Sequence, residues 1–360
     1  MKKILFALMA AVSLLLPIAP RAQAASEVSI NFFYDNLSSQ GNWIDVADYG
    51  YCFQPNVGAD NPNWRPYTDG YWAYTEDGWT WVSYEDFGWA TYHYGRWTRL
   101  TDYGWMWVPG DEWAPAWVSW RTGGDYVGWA PLPPSANRVY EGRAITGHVD
   151  IDFDIGPRCY NFVDLRYFGE PVLRSRIIEP GRNVTIINNT VNVTNIMYRD
   201  SRVYNYGPDY NRMNRYSMRP IQRLSIEREN NIDANTRANG HNFTRVNGKH
   251  LMVVAPTIQK SDEKFIPKNV KAKVQQPKFE HGWQGISNRQ QLQAEMRKEN
   301  RKNIPPPNFL PEEGRKAETA RQNPPPAQRP NEKPAATQQG QGKKEPERKK
   351  KEDKEKPDRP

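Results

Sequence analysis

Thirteen of the fourteen tryptophans in this chain fall between Trp43 and Trp129, in register with glycines. Gly78-Trp79-Thr80-Trp81-Val82 returns twenty-six residues later as Gly104-Trp105-Met106-Trp107-Val108, and Gly70-Tyr71-Trp72 returns as Gly95-Arg96-Trp97. A degenerate earlier copy runs Gly41-Asn42-Trp43 and then Gly50-Tyr51-Cys52-Phe53, and a divergent last copy holds Trp117, Trp120 and Gly128-Trp129. A period of this length marks repeated supersecondary units, each of which buries its apolar face only against its neighbours.

The pattern inside each unit is that of a β-hairpin. Trp79 and Trp81, like Trp105 and Trp107, stand two residues apart and so share one face of a strand. Trp72 with Tyr74, and Tyr92 with Tyr94, alternate in the same way. Asp48-Tyr49-Gly50, Glu76-Asp77-Gly78 and Asp102-Tyr103-Gly104 separate the strands, and Asp and Gly tolerate the backbone of tight turns. Pro131-Leu132-Pro133-Pro134 ends the run, because proline cannot continue a sheet. The expected fold is all-β: an antiparallel Trp/Gly-repeat hairpin module over 31–135, either a meander or a small barrel.

A second, β-rich, asparagine-containing segment is expected over 136–206. Asp150 to Ile155 alternates acidic and apolar residues, and Val184-Thr185-Ile186-Ile187 and Val191-Asn192-Val193-Thr194 read as strands around an Asn188-Asn189 turn. From 207 to 304 the chain reads as a weakly ordered basic region with short helices. Ile221 to Arg228 is helical or irregular, and Ser287 to Lys302 is a polar helix with capping-box spacing at Ser287 and Gln290. The Pro/Lys/Glu-rich stretch 305–360 has too little apolar surface to offset its chain entropy and reads as a disordered tail.

Residues 1–24 have the form of a signal peptide: Lys2 and Lys3, an apolar run from Ile4 to Ile18, then Ala22-Gln23-Ala24. That run is about fifteen residues, short of the ~20 that span a bilayer. The expectation is export to the periplasm, the cell envelope or the exterior, with no transmembrane segment after cleavage. Cys52 and Cys159 form an even pair suited to one long-range disulfide or to two free thiols.

The net charge of +8 is unevenly spread. Between Asn31 and Ser135 thirteen carboxylates face four arginines and no lysine, about −9, so the remainder carries about +17. An acidic aromatic module is a poor binder of phosphate backbones, so no specific nucleic-acid partner is expected. The basic remainder is either a contact surface for anionic envelope polymers or a solvated spacer.

Exposed aromatic side chains could stack on sugar rings while neighbouring polar groups reach the hydroxyls. Tyr71, Tyr84, Tyr92 and Tyr94, with Asp86 and Arg96, are the candidate lining, joined by the less regular tryptophans Trp64, Trp117 and Trp120. Against this, a module nearly without Leu and Ile must build its core from aromatic residues, each of which removes roughly 150–250 Å² from water. The Trp-x-Trp residues are therefore expected in the core.

Asp150-x-Asp152-x-Asp154 has the opening of a calcium loop, but Gly156 stands one place late and no Glu fills the twelfth position. His93 could pair with Glu85 or Asp86, although Tyr92-His93-Tyr94 reads better as a strand. HExxH, GxSxG, GxGxxG and P-loop patterns are absent from the sequence. No catalytic residue, metal site or cofactor is assigned, and nothing sets an oligomeric state.

Trp64-Arg65-Pro66-Tyr67, Gly78-Trp79-Thr80-Trp81-Val82-Ser83, Gly88-Trp89-Ala90, His93-Tyr94-Gly95-Arg96-Trp97 and Gly128-Trp129-Ala130-Pro131-Leu132-Pro133 carry a resemblance. Over Phe33 to Tyr206 the chain resembles a family of exported bacterial proteins of unknown function, with Tyr/Trp/Gly repeats, an Asn-rich segment and a Pro-rich tail. That resemblance implies no activity, cofactor or site residue. More loosely the chain resembles the Gly-Trp repeats of cell-wall-binding modules, whose units are shorter. The expected function is non-enzymatic: binding or scaffolding at the envelope, with a glycan or cell-wall polymer as partner. A purely structural or self-associating role is the alternative, and a glycan hydrolase the third reading.

Overall fold

Four hairpins follow one another along the repeat. A computed structural model describes residues 27–139, 144–229, 243–261 and 263–309. All of these lie in the first of the chain's two units, Met1–Ala317. The signal segment 1–24 and residues 310–360 of the expected tail lie outside the described residues.

After a short strand β1 (Glu27–Val28) and the helix Asn31–Leu37, the hairpins are β2–β3 (Gly41–Val46, Gly50–Pro55), β4–β5 (Gly70–Thr75, Gly78–Ser83), β6–β7 (Arg96–Leu100, Gly104–Val108) and β8–β9 (Val118–Gly123, Tyr126–Pro131). One cross-strand aromatic pair recurs in each: Trp43 opposite Phe53, Trp72 opposite Trp81, Trp97 opposite Trp107, Trp120 opposite Trp129. Such directly opposed pairs are the unit of sheet stabilisation. The glycine ahead of the first-strand aromatic makes room for the second strand. At Gly70 a Cβ would lie 2.8 Å from the Trp81 ring. Gly78 has a different reason: its φ of +92° belongs to the turn, and the carbonyl of Asn205 packs against it.

The remaining strands extend the hairpins. They are β10 (Ile145–Thr146), β11 (Asn161–Asp164), β12 (Val191–Asn192), β13 (Asn195–Arg199), β14 (Arg202–Asn205), β15 (Ser225–Glu229), β16 (Thr244–Asn247), β17 (His250–Val254), β18 (Thr257–Ile258) and β19 (Val270–Val274). The first and third hairpins share the sheet β19-β2-β3-β7-β6. The second lies in β10-β13-β14-β5-β4 and the fourth in β11-β9-β8-β12, and the smaller sheets are β15-β17-β16 and β1-β18. Among the described residues no sheet closes on itself, so of the two expected forms the barrel is excluded. Strand pairing crosses the expected boundaries at 135/136 and 206/207, because β19 runs parallel to β2 and β18 parallel to β1.

Four local expectations are overturned. Val184 to Ile187 lies in a helical turn, Asn183–Ile187. A strand would place Ile186 and Ile187 on opposite faces, whereas the turn buries both. Buried Asn183 fixes the turn's start by donating to the carbonyls of Pro157 and Tyr160, at 2.8 and 2.9 Å. Asp150 lies in the helical turn Val149–Asp152, which aims its carboxylate into the core instead of along an acidic strand face. Tyr92-His93-Tyr94 follows the helical turn Gly88–Thr91, whose carbonyls take the amides of Tyr92 and Tyr94. In the basic region, Ser225–Glu229 is a strand, and the polar helix forms over Arg289–Lys298.

Every tryptophan is core. None is more than 8% exposed. Trp72 touches Trp81, Trp120 and Trp129, and Phe168 closes the cluster against Trp79, Trp120 and Trp129. Cys52 packs with Ile44, Val46, Leu100, Met106 and Val108, whereas Cys159 belongs to the main core. The two cysteines are free thiols, so the disulfide alternative is corrected: they belong to separate clusters. Burial pushes their pKa values up to about 12 and about 11.

Candidate functional site

Glu85 organises the part of the expected aromatic surface that the structure brings together. The loop after β5 is fixed by Asp69, whose carbonyl takes the Tyr84 amide at 3.0 Å, and by the Ser83 hydroxyl, which takes the Glu85 amide at 2.9 Å. One Glu85 oxygen then accepts from the Trp64 indole at 2.8 Å, and the other accepts from the Tyr92 hydroxyl. Burial raises Glu85 to about 7, with those two hydrogen bonds pulling the other way. Tyr84, 52% exposed, donates to the carbonyl of Pro171 at 2.8 Å and stands 5.9 Å from the Tyr71 ring. Asp86 is exposed beside it.

The other candidate residues are interior, and here the expected lining is corrected. Tyr92 and Tyr94 are fully buried, and Tyr94 donates to the carbonyl of Pro256 at 2.7 Å. The Arg96 guanidinium lies 3.4 Å from the centroid of buried Trp117. Trp120 donates its indole N–H to the Asn205 side chain at 2.9 Å. Trp64 and Tyr71 are at 8% and 7% exposure. Tyr94 and Trp120 are capped by residues beyond 200, whereas Tyr92, Trp64 and Arg96 pack against other residues of the repeat itself. His93 pairs with neither Glu85 nor Asp86 in the hydrogen bonds of its ring: Nδ1 meets the carbonyl of Ala114 at 2.9 Å, and the ring stacks on Trp113. Burial lowers its pKa to about 4, so it is neutral in the fold.

A second polar centre was missed by sequence reasoning. Arg121 is completely buried, and pairs with both Asp150 and Glu299. Its Nη2 also donates to the Thr190 carbonyl at 2.8 Å. Asp150 further accepts from the Ser119 and Tyr160 hydroxyls, and the Ser119 oxygen accepts from the Asn192 side-chain amide and shares a hydrogen bond with the Thr194 hydroxyl. Burial opposes the Arg121 charge, but the two carboxylates outweigh it and raise its pKa. The signal was present in β8, where Ser119 and Arg121 alternate with apolar neighbours; the partners lie 29 and 178 residues away. Chemically the cluster is a saturated network, with the Ser119 hydroxyl and both Asp150 oxygens engaged.

Part of the charge asymmetry is met within the chain. Asp77, in the turn of the second hairpin, is fully buried between Arg202 and Arg228, at 2.9 and 2.6 Å. Asp45 pairs with Lys273, Asp35 with Lys268 and Asp111 with Lys260. The calcium-like acidic residues are similarly engaged: Asp150 by Arg121, Asp154 by Arg289 and the Trp283 indole. Among the described residues, no three His, Cys, Asp or Glu side chains are grouped to hold a metal ion.

Residues 34–136 match the model of DUF6600, a family of unknown function. The DUF6600 region coincides with the four hairpins, from the helix before β2 to the end of β9. No curated protein and no solved structure matches the chain. Among the described residues no helix is long and apolar enough to cross a membrane.

Proposed function

We propose that this chain is a non-enzymatic, exported protein of the cell envelope, in which the DUF6600 region is a scaffold and a glycan or cell-wall polymer is held on a surface outside the tryptophan core. One observation carries the reading: all thirteen repeat tryptophans are buried, and Asp77, in the acidic turn of the second hairpin, is held between two arginines of the same chain. The repeat therefore builds shape and leaves binding to other residues. The carboxylates that would serve catalysis best, Glu85 and Asp150, have both oxygens engaged by neighbouring donors.

The test is a titration of the purified mature chain with neutral and acidic envelope glycans, followed by calorimetry, with reducing-end release measured in parallel. The proposal predicts saturable binding to at least one glycan without release of new reducing ends. Hydrolysis abolished by one carboxylate substitution would contradict the non-enzymatic reading, and binding to no glycan would leave the purely structural role.

A further inference from the structure

At the edge of the core, two exposed arginines lie against half-buried tyrosines. Arg199, on β13, lies with its guanidinium carbon 5.1 Å from the Tyr204 ring, and Tyr204 stacks on Tyr206 at 5.7 Å with 12° between planes. Tyr74 is 4.8 Å from Tyr210, and Arg223 lies over both, 4.3 Å from Tyr210 and 5.8 Å from Tyr74. Exposed Arg199 thus lies on one pair of half-buried tyrosines, Tyr204 and Tyr206, and exposed Arg223 on another, Tyr74 and Tyr210. The sheet order β13-β14-β5-β4 and the bridge between Tyr74 and Arg223 hold these residues together.

The segment 199–223 contains six arginines against Asp200 and Asp209. Arg202 and Arg219 are committed to Asp77 and Glu170. Among the described residues the one carboxylate paired with Arg199 is exposed Asp200, at 3.5 Å, and no carboxylate pairs with Arg223. An exposed guanidinium beside an aromatic ring can still meet a carboxylate through two parallel hydrogen bonds. Single-stranded nucleic acid needs open aromatic faces for its bases. The Tyr204 ring has Arg199 on it and Tyr206 stacked against it. What the surface offers is guanidinium forks and phenolic hydroxyls, the groups that meet carboxylates and sugar hydroxyls.

We propose that this arginine–tyrosine ladder is the binding surface for an acidic polysaccharide, with Arg199 and Arg223 taking uronate-type carboxylates along one glycan strand. This rests on the envelope-glycan reading given above and names its surface and ligand class.

The test titrates the full mature chain with polygalacturonate, with neutral dextran and oligo-dT as separate arms, for the wild type, R199A/R223A and R199K/R223K. Both arginines are exposed, and an unchanged near-ultraviolet dichroism spectrum would confirm the fold of each variant. The expected result is polygalacturonate binding that weakens as salt rises from about 50 to about 200 mM. It should weaken by about tenfold or more in the alanine variant, as for loss of two charge-assisted contacts, and recover only partly with lysine; dextran should not bind. Undiminished binding by R199A/R223A would overturn the ladder while leaving the glycan reading in place. No binding of either glycan by the wild type would overturn both, and tighter oligo-dT binding lost in the alanine variant would assign the surface to nucleic acid instead.

Discussion

The ring centroid of Trp72 lies 4.4 Å from that of Trp120, and this contact joins the second hairpin to the fourth. Each of the two is also the first-strand member of its own hairpin's aromatic pair, opposite Trp81 and Trp129. Trp72→Ala removes contacts to both hairpins from a fully packed site. It should cost about 3–5 kcal/mol of unfolding free energy, measured by urea denaturation. Tyr84→Ala, at a half-exposed site, should cost under about 1 kcal/mol. Equal costs for the two would contradict the core role of the repeat.

Arg121→Met leaves Asp150 and Glu299 buried without their cation, so it should destabilise by about 3–5 kcal/mol. Replacing Arg121, Asp150 and Glu299 together with apolar residues of similar size should recover a large part of that loss. Additive losses in the triple variant would show that the three charges do not act as one unit.

Stability should depend on pH through two opposing groups. Glu85, ordinarily near 4.5 and raised to about 7, binds its proton more tightly in the folded chain. Its contribution is fully present below about 4.5 and is lost as pH rises through about 7. His93, ordinarily near 6.5 and lowered to about 4, is neutral when folded. Its contribution is fully present above about 6.5 and is lost as pH falls through about 4. The two slopes oppose one another between about 4.5 and 6.5, and Glu299, also raised, adds to the Glu85 side. Glu85→Gln should therefore steepen the rise in stability from about pH 4 to 6.5 and raise stability above pH 7, by up to about 3 kcal/mol. Superimposable urea-unfolding profiles for the variant and the wild type would contradict this.

Much of the repeat was legible because it is local. Gly-x-Trp, the acidic turn and Trp-x-Trp specify a hairpin from about fifteen consecutive residues, and β4–β5 and β6–β7 form as expected. The scarcity of Leu and Ile likewise placed Trp79, Trp81, Trp105 and Trp107 in the core. What was illegible is non-local. Nothing near Tyr94 announces that Pro256 covers it, and nothing near Arg121 announces Glu299. Parallel pairing of β19 with β2 has no short-range turn to mark it. Local propensity also misled at Val184 to Ile187, where burying two adjacent isoleucines on one side outweighed β-branching.

Asp77 is the deepest of the acidic-turn contacts, buried between Arg202 and Arg228. Asp77→Asn removes the countercharge of both arginines and should loosen the segment they anchor. Limited trypsin digestion should cut between Arg199 and Arg228 several-fold faster in the variant, with the hairpin module left intact. An unchanged cleavage rate would show that the turn does not hold this segment.

The tryptophan repeat is interior and structural. Acrylamide quenching of intrinsic fluorescence in the purified chain reads that burial. With every tryptophan at or below 8% exposure, the folded protein should be quenched weakly and uniformly, strong quenching should come only with unfolding, and saturating glycan should leave the quenching unchanged. Strong quenching of the folded chain, relieved by a glycan, would place the repeat at the binding surface and contradict the account.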